Sequence, residues 1–283
     1  MSEQAIPADE KKTSDLMVRV RSGVMIGIIT LTALYLGGAI FASFMAFVTA
    51  VGAMEWYQMT AAANKEDRKA IFYIWAISAL TVIFASFAHN PIYLLAIPMI
   101  LGAAIPFIGK GKVTNVVRCW FGSVYVIYAL ALFAWLRLFS DEGLYYVATL
   151  LFMIWASDSF AYFFGKYIGG PKLAPKISPK KTWAGMFGSC FGATLLAILM
   201  VQPNIYPYFS GTEPIASMWV MSLMAIIVGV FGQVGDLMIS LFKRHYGIKD
   251  MGDLIPGHGG ILDRVDALIF VTLFYASFIW ICQ

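Results

Sequence analysis

Charged residues are scarce in this chain: 13% of its 283 residues are Asp, Glu, Lys or Arg, whereas 60% are hydrophobic. This balance excludes an ordinary water-soluble domain and indicates a protein that lies in lipid. Cysteine is scarce as well. Cys119, Cys190 and Cys282 lie in apolar stretches at no spacing typical of ligands, so they indicate neither a disulfide framework nor a zinc site. We expect them to be packing residues.

The N-terminal residues are polar and of mixed charge. They show neither an arginine-rich amphipathic pattern nor an apolar stretch that ends at a cleavage site, so we expect no targeting peptide. We interpret residues 1–18 as a polar cytoplasmic tail. No internal repeat or low-complexity linker divides the sequence, and we therefore treat 1–283 as one transmembrane domain.

Long apolar runs fill the rest of the chain. A helix needs about 20 mostly apolar residues to cross a bilayer. Nine stretches meet this requirement, and the glycines at Leu36-Gly37-Gly38 predict a tight hairpin between the first two. The predicted fold is therefore all-α, a polytopic membrane protein with about nine transmembrane helices at 20–37, 38–60, 71–88, 91–108, 114–137, 144–166, 182–202, 215–242 and 260–282.

Basic residues predict the orientation, because Lys and Arg collect in cytoplasmic loops. With the N-terminus in the cytoplasm and the C-terminus outside, only Arg137 of the 20 basic residues falls outside. The two longest cytoplasmic loops, 166–181 and 243–259, then face the same compartment. They are the loops richest in charge and glycine, and we expect function there.

Five carboxylates lie within or at the cytoplasmic ends of apolar spans. Each costs at least about 2.5 kcal/mol on insertion scales and calls for a partner or a purpose. We expect Glu55, beside Trp56 and Tyr57, to be an interfacial carboxylate paired with a nearby Lys or Arg. For the others the alternative to a functional role is a set of buried ion pairs that lock helices together. These others are Asp158, Asp236, Asp263 and Asp266.

Asp236 follows a run of glycines at threefold spacing. Such glycines allow another helix or a ligand to approach the backbone closely. Asp236, Ser240 and Lys243 then share one helix face, because they are spaced at i, i+4 and i+7. That face carries an acid, a hydroxyl and a cation toward the cytoplasm. The glycines are Gly229, Gly232 and Gly235.

The loop after this helix has the composition of a phosphate site. Pro256 and Gly257 break the chain, and His258-Gly259-Gly260 leads into the last helix, whose N-terminal N–H groups and dipole would favour an anion. The embedded carboxylates could hold Mg²⁺, a hard cation that prefers oxygen ligands and substrate phosphates. Cations that could neutralise phosphate oxygens flank the loop at Lys243, Arg244 and Lys249.

The other cytoplasmic loop repeats this combination. Asp158 lies near the end of the preceding span, and Lys180, Lys181 and Thr182 lie at a helix start, where they are candidates for binding phosphate. The alternative is that lysines of this loop only fix the topology by contact with anionic headgroups. That alternative applies above all to Lys172 and Lys176.

At these residues the sequence resembles a known family. Ser240 to Asp266 matches the pattern S-x-x-K-R-x(4)-K-D-x-x-x-x-x-P-G-H-G-G-x-x-D-R-x-D, which is similar to the signature of bacterial phosphatidate cytidylyltransferases (CDP-diacylglycerol synthases). Asp158 with Ala161-Tyr162, the segment 178–183 and Gly235-Asp236-Leu237 resemble further motifs of that family. The resemblance covers 157–266 well, and we define this range as the catalytic motif region.

The resemblance implies an enzyme that converts CTP and phosphatidic acid to CDP-diacylglycerol and pyrophosphate with Mg²⁺. It implies that Asp236 and Asp263 are metal ligands, with a second cation plausible. The expected catalytic residues are Asp236, Lys243, Arg244, Lys249, Asp250, Asp263, Arg264 and Asp266. The expected substrate-binding residues are Asp158, Ser178, Lys180, Lys181, Thr182, Ser240, His258, Gly259 and Gly260.

No organelle signal marks the sequence, so we expect a bacterial inner membrane, and the distribution of Lys and Arg places the active site on the cytoplasmic side. The resemblance implies a homodimer, and we expect no nucleic-acid partner. One alternative is a CTP-dependent lipid kinase of the dolichol or phytol kinase type. Another is a transporter of anionic lipids or phosphates, which would spread its charges across the bilayer. The embedded charges of this sequence cluster instead at the predicted cytoplasmic side.

Overall fold

The architecture consists almost entirely of long helices. The structure is a computed structural model and describes residues 8–61, 68–108, 116–205, 207, 217–252, 254–255 and 259–282. Over this part of the chain, eight helical segments are long and apolar enough to cross a membrane. The helices are α1 (Ala8–Leu36), α2 (Gly38–Ala61), α3 (Arg68–Ala85), α4 (Ala96–Gly102), α5 (Ile105–Ile108), α6 (Val116–Leu138), α7 (Gly143–Tyr167), α8 (Trp183–Met200), α9 (Met218–His245) and α10 (Leu262–Cys282).

These elements confirm the predicted all-α membrane fold. Eight of the nine predicted spans coincide with the eight apolar segments. The ninth, 20–37, corresponds to the apolar part of α1, Val20–Leu36, which is shorter than the other segments at 17 residues. The total number of spans and the predicted orientation stay predictions.

The predicted break between the first two spans is confirmed at Gly37. Gly37 and Gly38 have φ values of 63° and 49°, a left-handed conformation that ends α1 before α2 begins. Arg137 Nε donates a hydrogen bond to the Leu34 carbonyl at 2.9 Å. A cation at a helix C-terminus complements the helix dipole. Arg137, the one basic residue expected outside, thus stabilises the end of α1.

The predicted span 91–108 is not one continuous helix. It consists of a 3₁₀-helix at Pro91–Leu95 followed by α4 and α5. Pro106 has no N–H to donate to the carbonyl four residues earlier, which disfavours a single continuous α-helix through this segment. The interruption falls at Ala103 and Ala104, between α4 and α5.

The cytoplasmic loop predicted at 166–181 contains a β-hairpin. Strand β1 (Lys172–Ala174) pairs antiparallel with β2 (Ser178–Thr182), with Lys172 opposite Thr182 and Ala174 opposite Ser178. Gly169 and Gly170 have φ values of 68° and 89° and turn the chain from α7 toward the hairpin. This small sheet is an addition to the predicted all-α fold, and it places Lys181 two residues before the start of α8.

Helix α6 lies at the centre of the molecule and packs against α2, α3 and α10, while α8 packs between α7 and α9. The predicted close approach at the glycines of α9 is confirmed at Gly229 and Gly235, whereas a Cβ at Gly232 would make only ordinary contacts, at 3.8 Å or more. A Cβ at Gly229 would lie 2.7 Å from the Cys190 Cα of α8, and one at Gly235 would lie 3.0 Å from the Asp266 carbonyl oxygen of α10. These contacts bring the acidic residues of α9 and α10 to the same place.

Candidate active site

One charged cleft gathers residues that are far apart in sequence. It has a volume of about 310 Å³. Five carboxylates and two cations give the lining a formal charge of −3, because −5 + 2 = −3. The structure therefore brings seven of the predicted site residues together. The lining residues are Asp158, Asp236, Lys243, Asp250, Asp263, Arg264, Asp266 and Ala267.

Asp236 on α9 is held by two predicted site residues. Ser240, one turn later, donates to Asp236 Oδ1 at 3.2 Å, so the predicted shared face is confirmed for this pair. Lys181 Nζ lies 2.7 Å from Asp236 Oδ2 and also donates to the Gln233 carbonyl at 3.1 Å. The Asp236 side chain keeps 35% of its surface exposed, so it remains accessible from the cleft.

Asp263 on α10 is enclosed by donors of the chain itself. Lys243 Nζ lies 2.7 Å from Oδ1, while the backbone N–H groups of Met251 and Gly260 donate to Oδ2 at 2.8 and 3.1 Å. Its side chain is 4% exposed. The buried ion pairs that we considered as the alternative reading are therefore present, and they link β2 to α9 and α9 to α10.

Glu55 contradicts the prediction of a surface pair with Lys or Arg. It is 5% exposed, and its two oxygens accept hydrogen bonds from the backbone N–H groups of Ile261 and Leu262 at 3.0 and 2.7 Å. The carboxylate accepts hydrogen bonds from N–H groups that have no partner within the helix, and its charge complements the helix dipole. These groups therefore take the place of the expected Lys or Arg. Glu55 on α2 thus closes the start of α10, more than 200 residues away in sequence.

The predicted anion-binding helix start is consequently occupied by carboxylates. The N–H of Gly260 bonds Asp263, and those of Ile261 and Leu262 bond Glu55. Gly259 has a φ of 83°, and a Cβ there would lie 2.9 Å from Asp263 Oδ2, so glycine is required for packing around that acid. The expected phosphate role of Gly259 and Gly260 stays a prediction. His258 lies outside the described residues.

The hairpin residues have different environments. Lys181 contacts the cleft residue Asp236. Lys180 is exposed, Ser178 is half-buried, and neither of these two lines the cleft. The Thr182 hydroxyl accepts from the Gly185 N–H at 3.0 Å and caps the N-terminus of α8. The structure thus gives Thr182 a structural contact, and its expected phosphate contact stays a prediction.

Two predicted phosphate-binding cations lie outside the cleft lining. Arg244 and Lys249 are exposed at the end of α9 and in the loop after it. Arg264, by contrast, is exposed and lines the cleft. The expected roles of Arg244 and Lys249 stay predictions.

Three carboxylates of the cleft come from three different helices: Asp158 from α7, Asp236 from α9 and Asp266 from α10. Asp236 interacts electrostatically with both Asp158 and Asp266, and Asp158 also interacts with Lys181 and Arg264. Among the described residues no three metal-ligating side chains form a ready-made metal site. The donor chemistry nevertheless fits Mg²⁺, because carboxylate oxygens in a cleft of net negative charge suit a hard divalent cation.

The fold and this cleft define a class: multi-pass membrane proteins with a site of carboxylates and cations between their helices. Residues 17–282 match the sequence model of the cytidylyltransferase family, and the chain belongs to that family. The family resemblance based on 157–266 is thereby confirmed.

Curated relatives agree with this assignment. A protein of Brucella abortus biovar 1 (strain 9-941) named phosphatidate cytidylyltransferase is 31% identical over 263 residues, which are 90% of each chain. A protein of Staphylococcus aureus (strain COL) with the same name is 40% identical over 131 residues, which are 46% of this chain and 47% of the relative.

Proposed function

We propose that this protein transfers the cytidylyl group of CTP to phosphatidic acid and forms CDP-diacylglycerol and pyrophosphate. The observation that carries the proposal is the cleft of five aspartates and two cations in a chain that matches the cytidylyltransferase family over residues 17–282. The names of the two relatives support the choice of phosphatidic acid as the acceptor.

The residues of the cleft favour direct transfer. A phosphate oxygen of phosphatidic acid attacks the α-phosphorus of CTP, the bond between that phosphorus and the bridging oxygen to the β-phosphate breaks, and pyrophosphate leaves with the electron pair. The described lining residues are aspartates, Lys243, Arg264 and Ala267, with no Ser, Cys or His among them. The acceptor is already an anionic nucleophile, so positioning and charge neutralisation matter more than a strong base.

The charge of the cleft is the reason to include Mg²⁺ in the proposal. A lining of formal charge −3 repels polyanionic CTP unless cations enter with it. We assign Asp236 as a ligand, because its side chain is accessible, with Asp158 and Asp266 beside it. Asp263, the second ligand implied by the resemblance, would have to share its carboxylate with Lys243. Bound Mg²⁺ would neutralise phosphate oxygens, and a second cation stays a prediction.

Besides Mg²⁺, the side-chain cations of the site would bind substrate phosphates. Lys181 and Lys243 are paired with carboxylates, each at 2.7 Å, so they are held at the edge of the site in fixed positions. Arg264 lines the cleft and interacts electrostatically with Asp158. We propose that these three cations orient the phosphates of CTP and phosphatidic acid, with Arg264 the most accessible of them.

The chain is a multi-pass membrane protein, and the finer location belongs to this proposal. We place it in a bacterial inner membrane with the cleft on the cytoplasmic side, where CTP is available. The basic loops at both ends of the catalytic motif region support this orientation by the positive-inside rule. The homodimer implied by the family resemblance stays a prediction.

The test uses detergent-purified protein with Mg²⁺, phosphatidic acid and CTP labelled at the α- or the γ-phosphate. We expect only the α-label to enter the lipid phase, and only when phosphatidic acid is present. Label from the γ-position that enters an added lipid alcohol would identify a lipid kinase instead. Transfer of neither label, under conditions in which a known synthase works, would reject the enzymatic proposal and direct attention to transport.

A further inference from the structure

Glu55 is a carboxylate near the cleft that the proposed reaction does not use. It lies on α2, whereas the residues that line the cleft belong to α7, α9, α10 and the loop before α10. Its two oxygens accept from the N–H groups of Ile261 and Leu262 at 3.0 and 2.7 Å. Ile261 immediately precedes α10 and Leu262 is its first residue, and at this end no carbonyl of the helix itself can accept their N–H groups.

The surroundings of Glu55 leave its carboxylate almost no freedom to move. A Cβ at Gly260 would lie 2.5 and 2.6 Å from the two oxygens, and a Cβ at Gly252 would lie 3.0 Å from Oε1. The residue is 5% exposed. The glycines of the loop therefore fit around an acid that belongs to a different part of the chain.

The neighbouring Trp56 fixes this part of α2 to two more helices. Its Nε1 donates to the Arg118 carbonyl of α6 at 3.2 Å. Its ring packs edge-on against Phe242 of α9, with ring centroids 4.9 Å apart, and Phe242 is adjacent to Lys243 of the cleft. The C-terminal part of α2 therefore contacts α6, α9 and α10 together.

Two carboxylates thus hold the loop and the helix start. Glu55 binds the N–H groups of Ile261 and Leu262, and Asp263, itself paired with Lys243, binds those of Met251 and Gly260. The next residues of α10 are the cleft residues Arg264 and Asp266. A shift of the helix start would move them, and a misplacement of about 1 Å can cost about 100-fold in rate.

We propose that Glu55 is a positioning residue for the active cleft: it anchors the N-terminus of α10 and so sets where Asp263, Arg264 and Asp266 stand. The kinetic part of this inference rests on the proposed function. The anchoring part does not.

Hydrogen–deuterium exchange of the detergent-purified protein tests the anchoring. In Glu55→Gln one charged acceptor becomes a neutral amide, and we expect the amides of Ile261 and Leu262 to exchange roughly tenfold faster or more. Amides in the middle of α10, around Thr272, should keep their protection. Glu142→Gln is the matched control, because it makes the same change at another hydrogen-bonded carboxylate. Glu142 lies just before α7 and accepts from the Tyr146 hydroxyl. This control should leave the amides of Ile261 and Leu262 unchanged.

The kinetic measurement separates positioning from folding. For Glu55→Gln we expect kcat to fall roughly ten- to a hundredfold and the Mg²⁺ concentration for half-maximal rate to rise about tenfold. A purely structural role would scale the rate with the folded fraction and leave the Mg²⁺ midpoint unchanged.

Three results would overturn the inference. Unchanged exchange of Ile261 and Leu262 would show that Glu55 does not anchor the helix. Faster exchange with an unchanged Mg²⁺ midpoint would reduce Glu55 to a structural contact. A lower KM for CTP in the variant would identify the helix start as a phosphate site that Glu55 blocks. If the unaltered protein transfers no cytidylyl group, the proposed function fails, and the exchange result alone decides the anchoring.

Discussion

At the scale of single residues, the charged side chains work in pairs. Lys181 pairs with Asp236 and Lys243 with Asp263, so acids that would be costly in an apolar helix are neutralised by cations. Both aspartates also line the cleft, and the Asp236 side chain stays 35% exposed. The same contacts that stabilise the helices therefore also keep charged groups in place for substrate phosphates.

The pair at Asp263 predicts a strong effect on stability. In Lys243→Ala the buried carboxylate of Asp263 loses its counter-charge, and removal of one partner of a buried pair costs about 3–5 kcal/mol. We expect a clearly lower melting temperature in detergent without Mg²⁺. Lys180→Ala, which removes an exposed lysine of the hairpin, should melt like the unaltered protein. Equal melting of the two variants would show that the Lys243–Asp263 pair contributes nothing.

Which residues meet in the cleft could largely be predicted from the sequence, but their partners could not. An acid in an apolar run signals a purpose, and this signal identified Asp158, Asp236, Asp263 and Asp266. The same signal was present at Glu55, yet its partners are backbone N–H groups more than 200 residues later. A backbone donor leaves no trace in the sequence, because every residue except proline carries one.

At the scale of elements, the hairpin and the glycine contacts decide where the charged residues lie. The hairpin carries Lys181 toward Asp236, and Thr182 then begins α8 as its cap. The sequence predicted a basic loop there and a helix start near 182, but not the strands. Two strands of three and five residues are too short for their alternation to stand out from a loop.

The cap at Thr182 separates a structural from a substrate-binding role. Thr182→Ala removes the acceptor for the Gly185 N–H, and such a change costs about 1 kcal/mol. We expect a modestly lower melting temperature with an unchanged KM for CTP, and Thr182→Ser, which keeps the hydroxyl, should restore the melting temperature. A tenfold higher KM for CTP at unchanged stability would contradict the cap and support the phosphate contact.

The close approach of α8 and α9 predicts intolerance at Gly229. In Gly229→Ala the new methyl group would lie 2.7 Å from the Cys190 Cα, so the helices must separate, at a cost of about 1–3 kcal/mol. Gly27→Ala is the control, since nothing lies within 4 Å of a Cβ at that position of α1. We expect only Gly229→Ala to lower the melting temperature. If Gly27→Ala lowered it equally, the helix contact would not be the cause.

At the scale of the whole molecule, the charges are unevenly distributed across the predicted membrane. Basic residues lie in the hairpin, at the C-terminal end of α9 and at the start of α10, whereas the segment between α6 and α7 carries acidic ones at Asp141 and Glu142. This asymmetry predicts that the hairpin faces the cytoplasm and that Asp141 faces the opposite side.

Cysteine labelling of intact cells tests that orientation. In a background in which the exposed Cys282 is replaced by Ser, Asp141→Cys should react with a membrane-impermeant maleimide in intact spheroplasts. Lys176→Cys, on the hairpin, should react only after permeabilisation. The background protein without an added cysteine controls for Cys119 and Cys190. The reverse pattern would invert the topology and move the cleft to the outer side.

The central claim is that the charged cleft attaches a cytidylyl group to phosphatidic acid, and mass spectrometry of the lipid product tests it most directly. The unaltered protein and Asp236→Asn are incubated side by side with CTP, Mg²⁺ and phosphatidic acid. Asp141→Asn serves as a control, because it removes an exposed carboxylate just before α7 that does not line the cleft. We predict a lipid heavier by one cytidine monophosphate unit from the unaltered protein and from Asp141→Asn. Asp236→Asn should yield at least about 100-fold less. A lipid heavier by one phosphate only, or equal product from Asp236→Asn, would contradict the account.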